Sequence, residues 1–405
     1  MTQSRPTPTE TVVQEVFGED VLTRARFIAD YAFGKSPEAP DAQRHAAMLK
    51  YGTDSRFFTA LAGDRPQATA TIHAMTENIR GTVMPMGGIG GVASLPSGRR
   101  QGHVRNLFVT LFAEMKADGQ AVSTLYPFRE SFYERLGYAT FTAPRYVTFN
   151  PANLASVVRM PKPGRVEQLP LSEGWETLRT FIEGYQQGVH GFALRDRAHD
   201  IRNQDENTAW VAFAYDPDDT IVGAMLFRIT GYTERMEVLA LLPTTTAARY
   251  LLLDWIGRHV DQVSTASVRI ASDDYAELWV RDLEETISTA DKVAWPAPMG
   301  RVIDVLGLTG IGAGEGEIVL DITDDYATWN TGRYRFTGQG GTLAVEKVEA
   351  EAAAAITIQG LSSLVFTGQN PADFPFRGWG EPDEAAQATL RAMFPFVAPF
   401  LYEEF

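Results

Sequence analysis

Two stretches far apart in the chain share one pattern. Val92-Ala93-Ser94-Leu95-Pro96 and Leu239-Ala240-Leu241-Leu242-Pro243 each close a β-like run. Each is followed by a segment with helical apolar spacing: Leu107, Phe108, Leu111, Phe112 and Met115 in the first, the run over 246–260 in the second. Strand, turn and amphipathic helix repeated in this way predict two α/β units of one fold in tandem. Length agrees, because 405 residues exceed what one core holds, and single cores stop growing at about 250–300 residues.

The rest of the chain divides around these units. Leu22, Ala25, Ala29 and Phe33 share a face of a helix expected over 20–33, and a second helix is expected over 42–49. Strands are expected over 57–62 and 68–75, with a turn at Gly63-Asp64-Arg65-Pro66. The Gly-rich stretch over 87–91 leads into the first repeat. A short strand over 121–125, a short helix over 130–138 capped by Gly137, and a strand over 145–150 complete this unit. The second unit shows helices, a hairpin of 210–215 and 221–229 across Asp216-Pro217-Asp218-Asp219, and a strand over 236–242. Beyond about Trp295, β-like runs over 301–306, 316–322, 332–336, 342–345 and 354–358 precede a helical stretch near Pro382, which reads as a separate α+β domain. The expected division is 1–150, 151–292 and 293–405. Gly310-Ile311-Gly312-Ala313-Gly314 is half a dinucleotide fingerprint, but a strand follows it where a helix should open, so it reads as a loop.

Composition removes several function classes. The chain has no cysteine, which excludes disulfides, thiolate metal sites and a cysteine nucleophile. His45, His73, His103, His190, His199 and His259 show no ligand spacing, so no metal is expected. A net charge of -15 argues against a nucleic-acid partner and suits a cationic small molecule, although acidity also serves solubility. No apolar run approaches a membrane span, and no basic start precedes an apolar stretch, so a cytoplasmic protein without a membrane partner is expected.

The turn Arg99-Arg100-Gln101-Gly102-His103-Val104-Arg105 joins the first repeated strand to its helix. A helix N-terminus presents unpaired N–H groups and partial positive charge, so arginines crowded there are unfavourable unless an anion sits among them. Gly102 leaves the backbone open, the N–H groups of residues 101–104 can point at phosphate oxygens, and arginine forks pair with phosphate. A solvated basic turn is the alternative. In the second unit, Thr246, Ala247 and Arg249 stand where Arg99, Arg100 and Gly102 stand in the first. The pattern R-x-x-G-x-[small or apolar] after a strand is similar to the acetyl-CoA turn of GCN5-related N-acetyltransferases (GNAT), with Val104 where glycine or alanine is commonest. The resemblance implies acetyl-CoA as acyl donor, its pyrophosphate on this turn, and its pantetheine arm on the backbone of Val92 and Ser94.

Acyl transfer to an amine also needs a proton for the leaving thiolate. A phenol, protonated at neutral pH, can give it, and Tyr133 in Tyr133-Glu134-Arg135-Leu136-Gly137-Tyr138 is the candidate; a core tyrosine with a wet hydroxyl is the alternative. With R-R-x-G-x-x-R, F-Y-x-R-L-G-Y, a degenerate second unit, an α+β third domain and a final phenylalanine, the whole chain resembles the enhanced intracellular survival (Eis) family of acetyltransferases. That resemblance implies tandem GNAT folds, a sterol-carrier-like last domain, Tyr133 as general acid, the Phe405 carboxylate as general base, and a hexamer. It also implies aminoglycosides, polyamines or lysine side chains as acceptors. Tyr126 does not match the motif position. The apolar run over 394–402 can anchor the end of the chain, while Asp30 and Phe33 read as structural. The rival function is a non-catalytic acyl-CoA or lipid-binding protein.

Overall fold

The computed structural model describes residues 11–34, 46, 55–197, 207–289 and 297–405. In chain order the strands are β1 (Thr11–Val16), β2 (Ser55–Ala62), β3 (Arg65–Ile79), β4 (Thr82–Ser94), β5 (Val122–Leu125) and β6 (Ala139–Thr140). Then follow β7 (Arg145–Phe149), β8 (Arg165–Pro170), β9 (Ala193–Arg195), β10 (Trp210–Tyr215), β11 (Ile221–Ile229), β12 (Arg235–Pro243), β13 (Thr265–Ile270) and β14 (Thr286–Ser288). The last region adds β15 (Met299–Val302), β16 (Gly316–Thr323), β17 (Gly332–Gln339), β18 (Thr342–Lys347) and β19 (Ala354–Thr357). The helices used below are α1 (Phe27–Ala32), α2 (His103–Ala117), α3 (Glu130–Glu134), α4 (Leu171–Gln186), α5 (Thr246–Gly257), α6 (Ile358–Phe366) and α7 (Glu384–Met393).

Two sheets repeat one topology. In the first, β2, β3 and β4 form an antiparallel meander and α2 carries the chain to β5, parallel to β4. In the second, β10, β11 and β12 do the same, and α5 carries the chain to β13, parallel to β12. The first sheet runs β1-β2-β3-β4-β5-β15-β6 with β9 against β3, the second β14-β7-β13-β12-β11-β10-β8, and the third β18-β17-β16-β19.

Sheet membership does not follow the chain divisions expected at 150 and 292. β7, expected with the first unit, lies antiparallel to β13 in the second sheet. β15, expected to open the third domain as a strand over 301–306, lies between β5 and β6 in the first. Alternation along a strand identifies it as a strand but not its neighbours. One buried core consequently runs from Met75, Met86 and Val122 of the first sheet into Leu320, Phe336 and Phe366 of the last region. Phe141 and Phe366 stack across it, with ring centroids 5.6 Å apart.

Two local expectations change. The helix over 20–33 begins with a π-type turn, Val21–Arg26, before α1; Ile28 joins the buried face, whereas Phe33 is 62% exposed. A wider first turn rotates the face away from regular spacing. Helix α6 follows β19 directly and has no counterpart among the expected elements. Only Gln359 escapes full burial, and an element apolar on all sides carries no helical periodicity to detect. The helix expected over 42–49 lies outside the described residues apart from Ala46.

Candidate functional site

The site begins where β4 leaves β5. The parallel pairing of these strands covers only Met86 to Ile89, yet β4 continues against β3 as far as Ser94. Between Thr69 and Thr71 the β3 register against β4 slips by a residue, and Gly91 takes φ +61°. This is a β-bulge, with glycine at the left-handed position. Past it, the β5-facing edge of β4 has no strand partner among the described residues, so an extended ligand can bond to its backbone. Val92 and Ser94 line the cavity that opens there, of about 1640 Å³, between the first and second sheets.

The glycines of β4 also make room. A Cβ on Gly90 would stand 2.7 Å from His73 Nε2 and 3.6 Å from the Phe405 carboxyl carbon, and one on Gly88 would stand 3.0 Å from the Phe405 ring. The Gly-rich stretch is therefore strand, thinned to admit Phe405.

The basic turn has the geometry of an anion cradle. Gly102, at φ +88°, is the N-cap of α2 and offers no side chain to the first N–H groups. Arg100 also takes a positive φ, +62°. Arg99, Arg100 and Arg105 are exposed on the cavity wall, and neither Arg99 nor Arg100 has an ion-pair partner among the described residues. The Arg105 guanidinium lies 5.5 Å from the centre of the Tyr326 ring. The His103 imidazole turns inward, with Nδ1 2.9 Å from Thr11 Oγ1, and burial lowers its pKa. Its backbone N–H is what remains for a ligand. Gln101 bonds back to the Ser97 carbonyl at 2.5 Å and is absent from the cavity wall. In the second unit the equivalent helix end closes itself: Thr245 Oγ1 accepts from the Ala248 N–H at 3.1 Å.

Tyr133 reaches the same cavity from α3. It is 3% exposed, and its ring packs against Phe108, Phe132 and Tyr138 at 5.9, 5.1 and 6.2 Å. Burial, with a smaller contribution from Tyr138, pushes its phenol up, so it is held protonated.

The end of the chain is tied down opposite. Arg269 donates from Nη1 to the Tyr402 carbonyl at 2.8 Å and from Nη2 to the Leu401 carbonyl at 2.6 Å. Tyr402 stacks on Phe192 at 4.6 Å, and Tyr126 Oη donates to the Glu403 carbonyl at 3.1 Å. The Phe405 ring then packs between Tyr126 and His73, at 5.7 and 6.0 Å. Tyr126, outside the motif, is thus a neighbour of Phe405.

Every expected site residue except Gln101 lines this one cavity. Sequence reasoning missed the wall contributed from afar: Trp175, Arg228, Glu237 and Arg269 from the second unit and Tyr326 from the last region. None carries a local motif. Phe33, expected to be structural, also lines the cavity, while Asp30 accepts from Arg26 at 3.1 Å within the helical turn. Among the described residues no group of three His, Asp or Glu side chains could hold a metal, and no helix is long and apolar enough to cross a membrane. His45 and His199 lie outside the described residues.

Comparison with known proteins agrees with this geometry. Residues 18–141 match the acetyltransferase (GNAT) domain family, and residues 302–402 match the sterol carrier protein domain family. No curated protein matches the sequence. A protein of Enterococcus faecalis V583 described as a "Probable N-Acyltransferase" superposes with a TM-score of 0.82 at 21% identity, covering 98% of this chain and 100% of that one. A GCN5-related N-acetyltransferase from Anabaena variabilis ATCC 29413 gives 0.84 at 18% identity, with coverage of 98% and 100%. Eis1 from Mycobacterium abscessus gives 0.75 at 16%, with the same coverage. At these identities the likeness establishes the fold: tandem α/β acetyltransferase folds followed by a sterol-carrier-like α+β domain. With the acetyltransferase domain match, the chain is an acyltransferase.

Proposed function

We propose that this chain transfers the acetyl group of acetyl-CoA directly to an amine of a small cationic acceptor, with Tyr133 as general acid and the Phe405 carboxylate as general base. The observation that supports it most is the meeting of three features in one cavity: an uncapped helix N-terminus among arginines without carboxylate partners, Tyr133, and the anchored Phe405. The donor fits the site by the same features. Backbone N–H groups of residues 101–104, with Arg99, Arg100 and Arg105, would hold its pyrophosphate, and the free β4 edge at Val92 and Ser94 its pantetheine arm. Bound there, acetyl-CoA supplies an activated thioester carbonyl.

The chain's own groups then handle protons. The Phe405 carboxylate attracts and orients the ammonium and takes one proton from it, directly or through a water. The freed amine attacks the thioester carbonyl. As the C–N bond forms and the C–S bond breaks, the Tyr133 hydroxyl gives its proton to the departing thiolate, and the nitrogen loses its second proton through water to the Tyr133 phenolate, which restores the phenol and leaves a neutral amide. No covalent enzyme intermediate is needed. A cationic acceptor fits the Phe405 carboxylate and the acidic chain, and aminoglycosides, polyamines and lysine side chains are the classes proposed. The same reading takes the first unit as the catalytic one, the second as a degenerate copy, and the assembly as a cytoplasmic hexamer of Eis-family type.

The test is free-thiol release from acetyl-CoA across these acceptors. Tyr133→Phe is expected to lower kcat by about a hundredfold, the low end of the range for losing a general acid. Adding one residue after Phe405 is expected to lower it comparably. Unchanged turnover in either variant removes the role assigned to that residue.

A further inference from the structure

Helix α3 is a five-residue helix, and what holds it comes from elsewhere in the chain. The turn that closes it bonds within itself, from Leu136 N–H to the Tyr133 carbonyl and from Gly137 N–H to the Glu134 carbonyl, each at 2.9 Å, and further donors reach it from outside. Gln359 Nε2 donates to the Glu134 carbonyl at 2.9 Å and Arg301 Nη1 to the Leu136 carbonyl. Gln359 lies on α6 and Arg301 on β15, both in the last region. The Glu134 carboxylate is held there too, accepting from Trp379 Nε1 and Arg377 Nη2, each at 3.1 Å.

Arg301 is fully buried and donates through Nη2 to both oxygens of Asp324, at 2.8 and 2.6 Å. Its guanidinium also stacks 4.1 Å from the centre of the Phe112 ring on α2. Asp324 Oδ1 in turn accepts from the Tyr326 and Ala327 N–H groups, which sets the loop that places Tyr326 under Arg105.

We infer that the sterol-carrier-like region is a working part of the transfer site: Arg301, Gln359 and Arg377 are positioning residues that aim Tyr133, and Tyr326 braces the cofactor arginine Arg105. This rests on the assignment of Tyr133 as general acid. A helix this short has little rigidity of its own, so the direction of the phenol depends on the side chains that hold its turn as well as on the Phe108, Phe132 and Tyr138 rings packed against it. Small misplacement of a proton donor costs rate rather than binding.

The experiment is steady-state kinetics with acetyl-CoA and an accepted amine on the full chain carrying Gln359→Leu and Arg377→Met, singly and together, with melting curves alongside. The double variant is expected to lose about tenfold or more in kcat while KM for acetyl-CoA stays within about twofold, because donor binding uses the turn and not α3. In a Tyr133→Phe background the same changes are expected to cause no further loss, since their effect passes through the phenol. Tyr326→Leu is expected to do the opposite, raising KM for acetyl-CoA with kcat nearly intact. Wild-type kcat in the double variant beside an impaired Tyr133→Phe overturns the inference, as does a further loss in the Tyr133→Phe background. Undiminished kcat in Tyr133→Phe itself overturns the acid assignment first and the positioning role with it, so the two failures read differently.

Discussion

Gly102 leaves the N-terminus of α2 open for want of a side chain. Its φ of +88° is one that a residue with a Cβ adopts at a cost of about 1–2 kcal/mol. Nothing lies within 4 Å of where that Cβ would be, so Gly102→Ala is expected to fold and to raise KM for acetyl-CoA. A melting curve and a donor titration together check this. Glu77 makes a different point. It is fully buried on β3 and accepts from Thr124 Oγ1 at 2.7 Å, and loss of hydration raises its pKa from 4.5 to about 8. Between these values the folded chain holds a proton that the unfolded chain has released. The stability linked to Glu77 is therefore complete below about pH 4.5 and is lost as pH rises towards 8. Glu77→Gln keeps the shape without the charge. It is expected to be more stable than the parent by about 4 kcal/mol at pH 8 and nearly equal to it near pH 4.5, as read from denaturant midpoints at the two pH values.

At the scale of elements, the two helices that follow the repeated strands share a frame but end differently. α2 begins at a glycine with its first N–H groups open, and α5 begins at a threonine that occupies the equivalent position with its own hydroxyl. One copy of the fold thus leaves its helix end open, and the other closes it. The run around Tyr133 is equally constrained. Gly137 takes φ +96°, and a Cβ there would stand 1.3 Å from Arg301 Nη1. Gly137→Ala is expected to destabilise by about 3 kcal/mol, the upper range for overpacking a filled site, and to lower kcat more than it changes KM. The chain end is a third such element. Arg269→Met removes the two donors to the Leu401 and Tyr402 carbonyls, and it is expected to depress kcat while leaving acetyl-CoA binding intact, as calorimetric titration can check.

At the scale of the whole molecule, strand exchange between segments decides what can fold alone. β15 sits inside the first sheet, between β5 and β6, so a chain cut before Met299 lacks an interior strand and exposes Val122 and Ala139. Such a fragment is expected to be insoluble or inactive, which expression and gel filtration would show. The Arg301–Asp324 pair, with both side chains fully buried, lies across the same seam. Asp324→Ala leaves a buried guanidinium unpaired, and it is expected to cost about 3–5 kcal/mol and to lower the first and last regions' melting together. Separate transitions for the two regions in calorimetry would contradict the shared core.

Local pattern alone determined the tandem repeat, the hairpin across Asp216-Pro217-Asp218-Asp219, the basic Gly turn and the short helix of Tyr133. Each is written in residues close along the chain, through apolar period, turn chemistry and charge. Folding in three dimensions decided which sheet β7 and β15 join, that the glycines of β4 are strand, and that Arg269 and Tyr326 line the cavity. Strand partners and cavity walls are chosen by burial between segments more than a hundred residues apart, and alternation along a strand is the same whichever neighbour it meets. The basic glycine turn could be read directly, because a helix end makes its demands within a few residues. The side chains that reach the turn after Tyr133 could not, because the carbonyls they meet are identical in every sequence.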